Sequence, residues 1–246
     1  MLQLSRKYRR GYTGEDIIVE RKHEGRVWHD VTETVPNQIT NNQISDRAVI
    51  IGNGTSRLDF NLQHLKTKSG LLGAKTVQTY GCNALYRDFT PDFLVAIGNH
   101  GIIDEIARTV YPNDNIVYTN NLHLLEHPNK FYLIPYDPYA DAGTTAAYIA
   151  AFDGHKRIYL LGFDGYDMEG HNNNIYADTN GYDRKWEFEV EGDKLINNRV
   201  QLFNVYNDVD FVWVTPRGRS TMPEQLKWVP NHRQISYRDL VIECDL

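Results

Sequence analysis

The chain has 246 residues, 41% of them hydrophobic and 12% aromatic, enough apolar material for one sizeable core with an appendage. A formal net charge of −6 provides no global attraction for nucleic acid or an anionic membrane, and the basic cluster Arg6, Lys7, Arg9 and Arg10 reads as a solvated tail. Two cysteines, Cys82 and Cys244, without a C-x-x-C spacing offer neither a zinc ribbon nor a redox pair; no apolar run approaches the ~20 residues of a membrane span and the first residues lack a hydrophobic signal core, so a soluble, cytoplasmic protein with no nucleic-acid partner is expected.

Residues 1–45 read as an extension. Asp16-Ile-Ile-Val-Glu20 is strand-like, and Gly25-Arg-Val-Trp-His-Asp-Val31 could pair with it around a Glu24-Gly25 turn. The polar stretch 36–43 reads as a linker. A lone hairpin is marginal, so this one should pack on the main domain, residues 46–246, or on a second copy, which would make a homo-oligomer through the hairpin.

From residue 47 strand, loop and helix alternate. Strands are predicted at Ala48–Ile51, Thr76–Tyr80, Phe93–Ile97, Ile116–Thr119, Phe131–Ile134, Arg157–Leu161 and Phe211–Val214, with a last one at Leu240–Glu243. Several are short, nearly continuous apolar runs, as in strands covered by helices on both faces. Helices are predicted at Gly101–Val110, Thr144–Phe152 and Lys194–Asn207. The alternation predicts an α/β fold: an open, mostly parallel, Rossmann-like sheet whose ligand sits at the carboxyl ends of the strands.

The loops at those ends carry the chemistry. Gly52-Asn-Gly-Thr-Ser56 is either a simple turn or a cradle of backbone N–H groups for a phosphate. Arg57 stands where a dinucleotide fingerprint has its third glycine, and no Gly-Lys follows, so neither a NAD site nor a Walker loop is supported. Asn53, Asn83 and Asn99 each follow a predicted strand, and an amide there can read a base or a sugar or merely complete a turn. Asp141, Thr144 or Thr145 can cap the helix that follows, whose first N–H groups form an anion site. Asp164, at another strand end, could bind a metal, orient a hydroxyl, act as a base or cap a turn. The polar loop Asp167–Asp178 matches no calcium spacing and is expected to cover a polar ligand, without a metal.

Three blocks carry a resemblance: Ala48-Val-Ile-Ile-Gly-Asn-Gly-Thr-Ser56, Gly81-Cys-Asn83, and the run from Ala142 through Ile158-Tyr-Leu-Leu-Gly-Phe-Asp-Gly-Tyr166. Together they resemble the Campylobacter-type bacterial sialyltransferases, and the first loop with Pro91-Asp92 is similar to the hydroxymethylpterin pyrophosphokinase-like and motility-associated glycosyltransferase group. The likeness covers about residues 47–215. It implies the glycosyltransferase-A variant of the α/β fold and a CMP-sugar donor, sialic-acid-like, used without an essential metal or cofactor, with a glycan or small molecule as acceptor. By position, Gly52, Asn53, Gly54, Thr55 and Ser56 would line phosphate and ribose. Asn83 would reach the nucleoside, and Gly143 and Thr144 would lie by the cytidine or its phosphate; the strand-end reading adds Asn99 and Asp164 to the pocket. Tyr166 and Tyr176 would offer phenols to the departing phosphate.

The chain departs from this pattern where the family carries its catalytic histidine. Here the sequence is Trp186-Glu-Phe-Glu-Val-Glu-Gly192, leaving Glu187, Glu189 or Glu191, or His171 from the covering loop, as the base. Three readings follow: a glycosyltransferase, a pyrophosphokinase-like enzyme using ATP and Mg²⁺, and a binding protein of the same fold without turnover.

Overall fold

The computed structural model of the protein describes residues 45–68, 77–127, 129–164, 173–182, 194–218 and 222–246, with short strands at 12–13, 21–24, 27–30 and 38–39. In the extension, Arg21–Glu24 pairs antiparallel with Val27–Asp30, and Tyr12–Thr13 with Gln38–Ile39. The hairpin is present, with Arg21–Glu24 as its first arm; the expected arm Asp16–Glu20 lies outside the described residues.

Eight strands build the main sheet: β1 (Arg47–Ile51), β2 (Gln78–Cys82), β3 (Phe93–Val95), β4 (Ile116–Thr119), β5 (Tyr132–Leu133), β6 (Arg157–Leu161), β7 (Asp210–Thr215) and β8 (His232–Ser236). Their order is β8-β7-β6-β1-β2-β3-β4-β5, and every neighbouring pair is parallel. The expected open α/β sheet is therefore formed, and it is parallel throughout. The chain runs outward from β1 to β5, then returns to the other side of β1 as β6, with Ile51 level with Leu161. That reversal is the topological switch point, where the loops after β1 and β6 diverge and open a crevice.

Among the described residues, eight α-helices flank the sheet: α1 (Gln63–Lys68), α2 (His100–Arg108), α3 (Tyr111–Asp114), α4 (Asn121–Glu126), α5 (Ala142–Phe152), α6 (Lys194–Val205), α7 (Glu224–Lys227) and α8 (Tyr237–Cys244). Because strand residues alternate between faces, Val49 and Ile51 meet Leu65 of α1, Ile102 and Ile106 of α2 and Leu240 of α8 in one core. Ala48 and Ile50 share the second core with α5, Leu202 and Phe203 of α6 and Leu226 of α7. α5 is built largely of Ala, Gly and Thr and is buried from Thr144 to Ala151. Small side chains let it lie close against the sheet and bring its first turn to the switch point.

The C-terminal end corrects one expectation. Leu240–Glu243 is helix, within α8, and the last strand is His232–Ser236. The Ser236 hydroxyl accepts from the Asp239 amide while the Asp239 carboxylate accepts from the Ser236 amide at 3.0 Å. This reciprocal cap starts a helix where the apolar run alone suggests a strand. Among the described residues, no helix is long and apolar enough to cross a membrane.

Candidate functional site

The loops after β1 and β6 are stitched together at the switch point. The Gly52 amide donates to Leu161 O at 2.8 Å and the Gly54 amide to Gly162 O at 2.9 Å. A Cβ on Gly52 would lie 2.5 Å from Gly162 O, and one on Gly54 2.6 Å from Asp164 Oδ2. These glycines thus admit the neighbouring backbone and the Asp164 carboxylate. Asp164 accepts from the Ser56 amide at 2.7 Å and from the Ser56 hydroxyl. From the neighbouring loop it thus satisfies an amide in the first turn of the short 3₁₀ segment Thr55–Asp59, whose N-cap residue is Gly54. The Ser56 carbonyl in turn accepts from the Tyr237 hydroxyl. Three of the amides that the sequence offers to a phosphate, those of Gly52, Gly54 and Ser56, are therefore engaged within the fold.

Each strand-end asparagine has a definite place. Asn53 donates from Nδ2 to Cys82 O at 3.3 Å, while its Oδ1 is buried with no hydrogen-bond partner among the described residues. A buried amide oxygen without a donor is costly. Asn83, at φ 48°, accepts from the Ile97 amide at 3.0 Å and so ties the end of β2 to the end of β3. Asn99 caps α2 by accepting from the Ile102 amide at 3.2 Å and donates to Gly181 O at 2.6 Å.

The first turn of α5 forms the opposite wall. Asp141 caps it, accepting from the Thr144 amide at 3.0 Å and the Thr144 hydroxyl at 2.5 Å. Thr144 is buried. A Cβ on Gly143 would come within 3.1 Å of the Phe163 ring, and the Arg199 guanidinium lies 5.0 Å over that same ring. Phe163 thus separates a buried cation from the helix start. Cys82, between the Asn53 loop and Asp141, has its thiol pushed up to about 12 by burial, reinforced by the Asp141 charge. It is an uncharged wall rather than a nucleophile.

Residues 173–182 run as a strap across the ends of β1, β2 and β3. Thr55 donates to Asn173 Oδ1 at 2.8 Å, and the Ile175 amide to Asn53 O at 2.9 Å. Tyr176 donates to Asp88 Oδ1 at 2.5 Å and accepts from Arg57 Nη2 at 2.7 Å. Its phenol is therefore engaged on both sides, and burial pushes its pKa up. The phenol expected to face the departing phosphate is thus hydrogen-bonded within the fold. Farther on, Arg87 grips Glu105 with two nitrogens at 2.6 and 2.8 Å and donates to Thr179 Oγ1 and Asn180 O. The polar loop expected to cover a ligand is thus docked over its described part. Between the strap and the start of α2 opens a cleft of about 710 Å³, lined by Gly98–Gly101 on one side and Asp178, Thr179, Gly181 and Tyr182 on the other.

Gly52, Asn53, Gly54, Thr55, Ser56, Asp164 and Asn83 gather around the β1–β6 crevice, and Gly143 and Thr144 flank it. Asn99 lies on the cleft beside it. Tyr166, His171, Glu187, Glu189 and Glu191 lie outside the described residues. Two residues escaped the sequence reading, Arg57 and Arg87. Arg57 is 2% exposed and holds both Tyr176 and Asp88, the latter at 3.2 Å. Its signal in the sequence is its place at the missing third glycine, a position that faces the packed interior.

No protein-family model matches the chain, and no curated protein matches it. Among solved structures it is similar to the sialyltransferase CstII from Campylobacter jejuni in complex with the substrate analogue CMP-3FNeuAc: 12% identity, TM-score 0.42, over 68% of this chain and 79% of that one. The same enzyme in complex with cytidine-5′-monophosphate gives 14%, 0.42, 77% and 88%. The monofunctional α-2,3-sialyltransferase Cst-I from Campylobacter jejuni gives 15%, 0.44, 73% and 79%.

Proposed function

We propose that the protein binds a nucleotide-sugar, of the CMP-sialic-acid class, in the crevice between the β1 and β6 loops and transfers the sugar to an acceptor hydroxyl. The observation that carries this reading is Asn53 Oδ1, a buried acceptor with no hydrogen-bond partner among the described residues, at the switch point of a parallel sheet. A base amino group or a ribose hydroxyl supplies the missing donor. Residues of the three sequence blocks that resemble the bacterial sialyltransferases are linked near it, the Asn53 amide donating to Cys82 O and the Ser56 amide to Asp164. Of the carboxylates that Mg²⁺–ATP chemistry would draw on, Asp141, Asp164 and Asp167, the first two accept hydrogen bonds within the fold, which weighs against the pyrophosphokinase reading, and Asp167 lies outside the described residues.

In the transfer, the acceptor oxygen forms a bond to the anomeric carbon as the bond to the CMP phosphate breaks. CMP leaves with the electron pair, and the acceptor proton passes to a base. His171 and Glu189 are the residues proposed for that base, and Tyr166 for the phosphate. Because Tyr176 is already engaged, binding without turnover is a second reading.

Thermal-shift titration with CMP, CDP, UDP and GDP tests binding. A rise in Tm with CMP that is lost in Asn53→Ala is expected; no rise with any nucleotide overturns the donor reading. Release of CMP from a CMP-sugar, present in the native chain and lost in His171→Ala or Glu189→Gln, separates transfer from binding alone.

A further inference from the structure

Two helices that follow neighbouring strands start side by side, away from the β1–β6 crevice. α2 begins at His100 shortly after β3, and α4 begins at Asn121 shortly after β4. The Asn120 side chain caps α4 by accepting from the His123 amide at 3.3 Å, which fixes where His123 falls in the first turn. Glu126 is three residues later and so shares its face. His123 Nδ1 lies 2.8 Å from Glu126 Oε2, and His100 Nδ1 lies 3.9 Å from the same oxygen. The two imidazoles meet edge to face with centroids 4.4 Å apart, and the three candidate ligand atoms lie within 4.8 Å of one another.

We propose that His100, His123 and Glu126 form a binding site for one zinc-class divalent cation, bridging the first turns of α2 and α4. Two imidazole nitrogens and one carboxylate oxygen suit zinc and its first-row neighbours, whereas calcium and magnesium favour all-oxygen shells. Three protein ligands leave a coordination position for water or an oxygen of a ligand.

The geometry needs little adjustment. Ligand bonds of about 2.0–2.1 Å at tetrahedral angles put ligand atoms about 3.3 Å apart. The 2.8 Å contact has to open by about half an ångström, the 3.9 Å one to close by about as much, and the two imidazole nitrogens, within 4.8 Å of each other, to close by at most about 1.5 Å. His123 is buried and held by its helix, and Glu126 already faces it. His100 is 66% exposed, so its ring turns in without displacing a neighbour. The helices that carry the ligands are separately joined, since His127 Nε2 lies 2.9 Å from Asp104 Oδ1 of α2. His100 also lines the 710 Å³ cleft, so an oxygen ligand entering there can reach the ion. This site lies at the ends of β3 and β4 and goes beyond the nucleotide-sugar reading, on which it does not depend.

The full chain, stripped with a chelator, is titrated with Zn²⁺ by calorimetry and with Co²⁺ by visible absorption. Saturable binding is expected, with one equivalent weakened at least tenfold in His100→Ala and in Glu126→Gln and unchanged in His64→Ala, a histidine on α1. Both test residues are substantially exposed, and circular dichroism checks that the variants fold. Absence of saturable binding, or binding that neither substitution weakens, overturns the site.

Discussion

Asp164 accepts two hydrogen bonds from Ser56, from its amide at 2.7 Å and from its hydroxyl, and so fastens the end of β6 to the first loop of the sheet. Hydrogen bonds to a charged group contribute about 1.5–3 kcal/mol each. Asp164→Ala, which removes both, is expected to lower Tm by roughly 6–24 °C, at about 2–4 °C per kcal/mol for a chain of this size, and to abolish any rise that CMP induces. Asp164→Asn, which keeps an acceptor, should lose less. Equal Tm values for the native chain and Asp164→Ala would show that the carboxylate does not hold the loop.

Gly52 and Gly54 leave no room for a methyl group, whose carbon would sit 2.5 Å from Gly162 O in the first case and 2.7 Å from it in the second. Backbone on one side and a fixed carboxylate on the other cannot yield cheaply. Gly52→Ala and Gly54→Ala should each cost about 1–3 kcal/mol or more, as overpacking does, and displace Asn53 from its crevice. Urea unfolding measures the first effect and nucleotide titration the second; full stability in both variants contradicts the close approach.

Arg57, Tyr176 and Asp88 act as one unit. Asp88 is 47% exposed, so losing Arg57 returns its charge to water rather than stranding it. The cost of Arg57→Met then comes from the Tyr176 phenol and the repacked interior, about 2–3 kcal/mol. Tyr176→Phe should cost about 1 kcal/mol, and the double variant less than the sum of the two. Strict additivity in chemical denaturation would mean that the two side chains do not cooperate.

Acid should loosen the strap. Arg87, aided by the donors Tyr86 and Asn180, holds the Glu105 carboxyl down to about 2, against an ordinary 4.5. A carboxylate with a depressed folded pKa contributes stability above its unfolded pKa and loses it as pH falls toward the folded one. Tm should therefore decline between about pH 4.5 and pH 2, and part of that decline should disappear in Glu105→Gln. Parallel Tm–pH curves for the two proteins would remove Glu105 from the account.

The central strands were readable in the sequence because burial on both faces writes them as continuous apolar runs. β6 was expected over Arg157–Leu161 and is found there, and β1 gains only Arg47. β8 was not readable: His232-Arg-Gln-Ile-Ser236 buries only Ile235, as an edge strand does. α8 was misread because Leu240, Val241 and Ile242 look extended until the Ser236–Asp239 cap is considered. The gathering of Gly52, Asn53 and Asp164 was anticipated from strand ends alone. What each atom does there was not, because the contacts of Ser56 with Asp164 and of Arg57 with Tyr176 join residues 108 and 119 positions apart. Local pattern carries no trace of such pairings.

The anchoring of Asn173 has a wider consequence. Its amide donates to Asp164 Oδ2 at 3.4 Å, while its carbonyl oxygen accepts from Thr55. Asn173 therefore holds the end of β6, through Asp164, and the loop after β1, through Thr55, at one residue. A single side chain thus ties together three segments of the chain, and a change at Asn173 would be felt at Thr55 and at Asp164 together.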